Sequence, residues 1–322
     1  MPHYHTLDSI HLPDTWLTIG FFDGVHRGHQ TLLRGMSAEA HAAGATTAVI
    51  TFYPHPGLVL RGESKPIYLT TPDERAARLE ANGADVVVTL PFTRDLANMT
   101  AREFMEMVCK AIRLRQLWVG YDFSLGRGRE GTVPVLETLG QTLGYAVRKI
   151  EPVLLDGEVI SSSRIRGLLG EGNVSEAEHL LGYPYKVEGV VIHGDGRGHN
   201  LGFPTANIDV WSEQLLPKKG VYAGWLIVDD KRYPAVTNVG IRPTFKSGDH
   251  AWVEAYVIDF HRDLYGKQVR FEFKAYLRGE QRFSNVETLL TQIQLDVEQA
   301  KGILSDERPT TDLSARSKAA QS

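Results

Sequence analysis

The sequence predicts an α/β fold followed by a β fold, two domains in series. Three observations predict this. Strand-like and helix-like segments alternate up to about residue 180, the texture changes after Gly182-Tyr183-Pro184, and strands then follow strands until one last amphipathic helix.

The strands of the first part are apolar, β-rich runs at Trp16–Gly20, Thr46–Phe52, Ala84–Leu90, Leu117–Gly120 and Tyr145–Ile150. Such runs suit strands buried on both faces of a parallel sheet. The helices announce their starts. Thr71-Pro72-Asp73-Glu74 is a capping box with proline at the first helical position, and Gly83 is its stop. Thr100-Ala101-Arg102-Glu103 and Ser175-Glu176-Ala177-Glu178 repeat the capping pattern. An open sheet of this kind holds its ligand at the carboxyl ends of the strands.

Beyond Pro184 the expected strands are Lys186–His193, Val221–Val228, Arg232–Val239, Trp252–Phe260 and Val269–Tyr276. The last alternates, with Val269, Phe271, Phe273 and Ala275 on one face and Arg270, Glu272, Lys274 and Tyr276 on the other. Five or six short strands with glycine-rich turns read as a small β-barrel. Ser284-Asn285-Val286-Glu287 caps a closing helix that carries Val286, Leu289, Leu290, Ile293, Val297 and Ala300 at helical spacing. Asp306–Ser322 is polar and aperiodic, the signature of a disordered tail. The expected domains are therefore 1–183 and 184–305, with 306–322 as the tail.

Composition bounds the function. At 322 residues, 42% hydrophobic and 23% charged, the chain is ordinary globular material for two domains. A formal charge of −4 argues against nucleic-acid binding through bulk positive charge. Cys109 is the only cysteine, which excludes an intrachain disulfide, and its place in a helical stretch makes it a small hydrophobe. No apolar run is long enough to span a bilayer, and Met1–His5 lacks a signal-peptide start, so the expectation is a cytoplasmic protein with no membrane partner. Self-association is left open.

Two phosphate-handling motifs stand out. The first is Gly20-Phe21-Phe22-Asp23-Gly24-Val25-His26-Arg27-Gly28-His29, in the first strand-to-helix turn. A helix start presents unpaired amides and partial positive charge to a phosphate. Gly24 and Gly28 permit close backbone approach. His26 and His29, three apart, can both donate to one polyphosphate and hold charge on a departing pyrophosphate. Ser161-Ser162-Ser163-Arg164-Ile165-Arg166 supplies hydroxyls and guanidiniums at another helix start. Gly126-Arg127-Gly128-Arg129-Glu130-Gly131 fits a dinucleotide pattern but follows the fourth strand, so it reads as a mobile basic loop rather than a nicotinamide site.

The second motif is Leu201-Gly202-Phe203-Pro204-Thr205-Ala206-Asn207, where Thr205 and Asn207 offer oxygens suited to magnesium and phosphate. The loop His193–His199, with Gly196, Arg197, Gly198 and His199, can wrap a nucleotide. Glu254 is the only carboxylate in the apolar run Trp252–Ile258. Directed into a crevice of the barrel, it is a candidate general base for a substrate hydroxyl.

These residues resemble a known family, the bacterial bifunctional riboflavin kinase/FAD synthetases. The strings Gly20–His29, Thr51-Phe52-Tyr53-Pro54-His55-Pro56, Gly120-Tyr121-Asp122-Phe123 and Ile160–Arg166 are similar to its FMN adenylyltransferase module. Leu201–Ile208, Gly220-Val221-Tyr222, Asn238–Phe245, Glu254–Phe260, Asp263–Gly266, Tyr276-Leu277-Arg278 and Phe283 are similar to its riboflavin kinase module. The resemblance implies a Rossmann-like nucleotidyltransferase domain and a Greek-key barrel with a C-terminal helix. It implies phosphorylation of riboflavin to FMN by ATP, giving ADP, and adenylylation of FMN to FAD with release of pyrophosphate, both with magnesium.

By the same resemblance, Gly20, Phe21, Asp23, Gly24, Gly28, Asp122, Ser161, Ser162, Ser163, Arg164 and Arg166 bind the nucleotide to be adenylyl donor. His55, Arg278 and Phe283 bind flavin, Glu254 is the base, and Thr205 and Asn207 bind magnesium and phosphate. The family usually has threonine where this chain has Ser163, and Gly-Arg-x-Leu-Gly where it has Gly198-His199-Asn200-Leu201-Gly202. Arg197 then supplies the missing charge. Alone, the first motif would equally serve another phosphorylated acceptor, and a barrel alone could carry flavin without turnover.

Overall fold

The structure, a computed structural model, describes residues 3–8, 10–62, 67–194, 203–244 and 248–305, with the side chains of 241–244 and 248–251 outside the description. These residues divide into two compact units, one holding those up to 62 and 70–162, the other 67–69 and 163–305.

The first unit is built on a six-stranded sheet of β1 (His3–Tyr4), β2 (Leu12–Ile19), β3 (Thr46–Tyr53), β4 (Val86–Pro91), β5 (Ile112–Gly120) and β8 (Ala146–Ile150). The order is β1-β4-β3-β2-β5-β8 and every pairing is parallel. Alternate residues of the same strands fall into two separate cores, as a period of two requires. Leu17, Ile19, Ile50, Val88 and Val119 pack with Phe104 and Val108 of α5 (Ala101–Ala111) and Leu136 of α6 (Val133–Leu143). Trp16, Val49, Val87 and Trp118 pack with Leu33 and Met36 of α1 (Arg27–Ala42) and Leu79 of α3 (Pro72–Ala81). Both faces are covered, which is why the strands read as continuous apolar runs.

The chain steps from β2 to β3 on one side and later returns to β5 on the other. The switch point therefore falls beside β2, and the carboxyl ends of β2 and β5 open a crevice there. Two short hairpins, β6 (Ser124–Leu125) with β7 (Gly131–Thr132) and β9 (Leu154–Leu155) with β10 (Glu158–Val159), complete the unit's strands.

Caps start the helices where side-chain oxygens reach the free amides. Thr100 and Glu103 form a reciprocal capping box, Thr71 Oγ1 accepts from the Glu74 amide, and Thr93 Oγ1 caps the short α4 (Arg94–Asn98) by accepting from Leu96 N. Two starts differ from the sequence expectation. Asn173, not Ser175, caps α8 (Val174–Leu181), accepting from Glu176 N at 3.4 Å. Asn285, not Ser284, caps the closing helix, accepting from Thr288 N at 2.9 Å. In both cases the helix begins right after the asparagine, whose short amide satisfies the amide three residues on.

The second unit contains α7 (Ser162–Glu171, from Ser163 on), α8 and a closed antiparallel barrel. Its strands are β11 (Lys186–Ile192), β12 (Thr205–Val210), β13 (Gly220–Val228), β14 (Lys231–Thr244), β15 (Gly248–Val257) and β16 (Gln268–Arg278), ordered β11-β12-β15-β14-β13-β16. Tyr222, Leu226, Val253, Ala255, Phe271 and Phe273 are fully buried on the inward face, so the barrel is a packed core. Val269, Phe271 and Phe273 alternate inward as the pattern of the last strand requires.

The closing helix α9 (Val286–Ser305) lies on the outer wall, where Val297 and Ala300 pack against Val221, Ala223 and Val236. Only its second half is buried, and Val286 is 54% exposed. Asp306–Ser322 lies outside the described residues.

Candidate active sites

The first site begins where β2 ends. Phe22 (φ 53°), Gly24 (φ 76°) and Val25 (φ 37°) all take left-handed backbone in the turn before α1. For phenylalanine and a β-branched valine this conformation is costly, about 1–3 kcal/mol each. The turn is held by its neighbours. Asp23 is buried, and its Oδ1 accepts from the backbone amide of Thr70 at 3.3 Å, while Thr70 Oγ1 accepts from Gly24 N at 3.3 Å. Ser162 Oγ donates to the Asp23 carbonyl at 2.9 Å.

The two histidines come together. His26 is the N-cap residue of α1, and its ring stacks on His29 with centroids 3.6 Å apart and planes at 19°. Phe22 closes on His29 edge-on at 5.0 Å. His29 Nδ1 is enclosed, with no hydrogen bond among the described residues. Burial, and secondarily the charge of His26, push the His29 pKa well below the ordinary imidazole value, so its ring is neutral at neutral pH. Gly28 lets these rings close up, since a Cβ there would stand 3.2 Å from the His26 ring.

Other residues singled out by sequence fall around the ends of the strands. Gly20 and Phe21 follow β2. His55 packs edge-on against Phe21 at 4.3 Å and caps α2 (Pro56–Arg61), its Nδ1 accepting from Gly57 N. Asp122 is exposed in the turn just past β5, the strand next to β2. Ser161 precedes α7. Ser163, Arg164 and Arg166 lie on α7 within the second unit, where Arg166 Nε donates to Ile67 O at 2.7 Å.

The Gly126–Gly131 segment is a tight β6–β7 hairpin. Arg129 donates to Ser124 Oγ at 2.7 Å, and Glu130 accepts from the Ala101 amide at 3.0 Å. Gly126 has φ 78°, and a Cβ there would lie 2.6 Å from Ala101 N, so this glycine serves close packing on α5. Cys109 is half-buried with its thiol pushed up to about 11 by burial, an unreactive side chain.

The second site is a cavity of about 360 Å³ on the barrel's outer wall, roofed by the start of α9. Glu254 lines it, and the crevice lies on the wall because Phe271, Phe273 and Tyr222 fill the barrel's interior. Thr205 Oγ1 donates to Glu254 Oε1 across the β12–β15 pair. Asn207, opposite Glu254 on β12, is buried, and its Oδ1 accepts from Trp252 Nε1 at 2.7 Å. Phe203, Tyr256, Val221 and Val236 supply apolar walls, and Phe283, Leu289 and Ile293 the roof.

Arg278 also lines the cavity, but its guanidinium turns to Asp296 of α9 in a bidentate pair (Nε–Oδ1 2.9 Å, Nη2–Oδ2 2.7 Å). Gln292 adds a bond to the same carboxylate at 2.9 Å. Gly196, Arg197, Gly198, His199, Leu201 and Gly202 lie outside the described residues.

Sequence reasoning missed Thr70, Asp296 and Arg75. Asp296 carried a signal, a carboxylate between Ile293 and Val297 on the apolar stripe. Arg75 is fully buried, with Nη2 donating to Phe52 O at 2.9 Å and its guanidinium 4.6 Å over the Phe21 ring.

Comparison with known proteins joins the two sites to one family. The FAD synthetase family profile matches residues 9–164 and the riboflavin kinase profile residues 181–304. Proteins named bifunctional riboflavin kinase/FMN adenylyltransferase are similar along nearly the whole chain. That of Listeria monocytogenes is 35% identical (90% of this chain, 92% of the relative), and that of Escherichia coli K12 is 36% identical (91% and 93%). A crystal structure named macrolide-efflux protein from Streptococcus pneumoniae has a TM-score of 0.83 at 31% identity, over 91% of this chain and 99% of that one. The efflux in that name is said of that protein; among the described residues here, no helix is long and apolar enough to cross a membrane. The chain belongs to the bifunctional riboflavin kinase/FMN adenylyltransferase family, enzymes that phosphorylate riboflavin to FMN with ATP and adenylylate FMN to FAD with release of pyrophosphate.

Proposed function

We propose that each activity is run by its own site, the kinase by the cavity at Glu254 and the adenylyltransferase by the turn at His26 and His29. In the kinase, Glu254 takes the proton of the terminal ribityl hydroxyl as that oxygen attacks the γ-phosphorus of ATP, and the bond to the leaving ADP breaks. The observation that carries this assignment is the Thr205–Glu254 hydrogen bond at the cavity wall, which fixes the carboxylate where an alcohol can reach it. Phe203, Tyr256 and Phe283 offer aromatic surface to the isoalloxazine ring, and Arg278 holds the roof that covers it.

Thr205, Asn207 and Glu254 form a set of hard oxygens, the donor chemistry that suits magnesium. Magnesium, when bound, neutralises charge on the transferring phosphates. Thr205 and Asn207 would hold the ion and the phosphates in place.

In the adenylyltransferase, a phosphate oxygen of FMN attacks the α-phosphorus of ATP and pyrophosphate leaves. His26 and His29 donate to the departing phosphates at the start of α1, the neutral ring of His29 giving one N–H. Gly20, Phe21, Asp23, Gly24, Gly28, Asp122, Ser161 and Ser162 shape the nucleotide site, with His55 toward the flavin. Ser163, Arg164 and Arg166 are assigned as anion partners from the sequence pattern. We assign 1–183 to the adenylyltransferase and 184–305 to the kinase, in a cytoplasmic enzyme without nucleic-acid or membrane partners.

The test is a time course of the purified chain with riboflavin and ATP, with and without magnesium, resolved by chromatography. FMN appearing first and FAD later, both lost on chelation, is expected. FAD formation that survives chelation would contradict the role given to magnesium.

A further inference from the structure

We propose that Asn238 is a substrate-contacting residue of the kinase, its Oδ1 accepting a hydrogen bond from a secondary hydroxyl of the flavin's polyol chain and so selecting for polyhydroxylated flavins. This rests on the assignment of the cavity to riboflavin phosphorylation.

The strand register places Asn238. Asn207 on β12 faces Glu254 on β15, Glu254 faces Asn238 on β14, and Asn238 faces Val221 on β13. Directly opposed residues in an antiparallel sheet put their side chains on the same face. Asn238 is therefore the next side chain across the wall from Glu254, about one strand spacing of ~4.8 Å away. Both line the cavity.

Its chemistry sets what it takes. Asn238 Oδ1 is buried and has no hydrogen-bond partner among the described residues. A buried amide oxygen without a donor is costly, and only a donor relieves it. Val221 and Val236 beside it are apolar, and none of the described side chains around the cavity donates to it. An alcohol O–H fits. Riboflavin carries secondary hydroxyls beside the one that is phosphorylated, so a chain whose terminal hydroxyl meets Glu254 brings its neighbours within reach of Asn238. The flavin ring's own donor, N3–H, is the alternative source.

A site built to hydrogen-bond a substrate hydroxyl discriminates against an analogue that lacks it. The experiment compares kcat/KM for phosphorylation of riboflavin, of 3-methylriboflavin, and of a flavin whose N10 chain is an unbranched hydroxypentyl group. It uses the full chain and its Asn238→Leu and Asn238→Ser variants, with urea unfolding of the barrel as the check on folding.

The unsubstituted enzyme is expected to favour riboflavin over the hydroxypentyl flavin by roughly 10- to 100-fold. Asn238→Leu should lose most of that preference through riboflavin and 3-methylriboflavin alone, leaving the hydroxypentyl flavin nearly as before. Asn238→Ser, which keeps an oxygen acceptor, should recover part of it. An unchanged preference in Asn238→Leu, or an equal fall on all three flavins, overturns the proposal. A Leu effect confined to flavins with a free N3–H overturns it in favour of ring recognition. If Glu254→Gln phosphorylates riboflavin normally, the cavity assignment fails instead, whatever Asn238 does.

Discussion

In the parallel-sheet unit the turn of the site is tied to its neighbours by hydrogen bonds, although His29 Nδ1 has none among the described residues. Asp23 accepts from Thr70, Ser162 donates to the Asp23 carbonyl, and the rings of His26 and His29 stack on a turn of left-handed residues. In the barrel unit the candidate site is a cavity whose roof is held by a carboxylate–guanidinium pair and whose wall contains an Asn238 oxygen without a partner among the described residues. On the assignment proposed above, the difference follows from what each site receives. Phosphate charge can be met by donors fixed in advance at a helix start. An uncharged alcohol must itself complete the hydrogen bonds of the pocket it enters.

The comparison breaks most sharply at Glu254. Glu254→Gln should lower riboflavin phosphorylation on the order of 10³-fold, measured as FMN formation, with adenylylation of supplied FMN unaltered. Next in size is Asp296→Ala. It leaves the Arg278 guanidinium without its bidentate partner in a place where the two side chains are only 16% and 4% exposed. Breaking such a pair costs about 3–5 kcal/mol, so urea unfolding of the barrel should shift to lower concentration and phosphorylation should fall with it.

His29→Ala should reduce adenylylation by roughly 10²-fold, the loss of one preset donor, and leave phosphorylation intact. The smallest effect is on pH. Because the folded-state pKa of His29 is depressed by burial, the folded protein binds fewer protons than the unfolded chain below about pH 6.5. Its contribution to stability is complete above that pH and declines as pH falls below it. Thermal melts from pH 7 to pH 5 should therefore show a falling midpoint, with a shallower slope in His29→Ala.

The sequence patterns carried much of the fold. Runs buried on both faces betray their strands, and alternation betrays β16. The short edge strand His3–Tyr4 could not be read, since two residues have no period, and Pro13 hides the true start of β2. At the candidate sites, residue type pointed to the histidine pair, Thr205 and Glu254, because those groups suit phosphate chemistry, and the fold brings each pair together. Thr70 was hidden beside a capping residue. Arg75 reads as a solvent-facing helical arginine, and only the tertiary placement of Phe21 and the Phe52 carbonyl explains its burial. The cavity's place outside the barrel was equally invisible, because it depends on which face of the strands α9 covers.

The most direct test of two separable sites is complementation between two inactivated chains. Glu254→Gln and His29→Ala are incubated with riboflavin, ATP and magnesium, singly and as an equimolar mixture, and FAD is measured over time. Two independent sites predict little FAD from either alone, FMN accumulating with His29→Ala, and FAD from the mixture after a lag for FMN to build up. A mixture of folded proteins that forms no more FAD than its components would contradict separate sites.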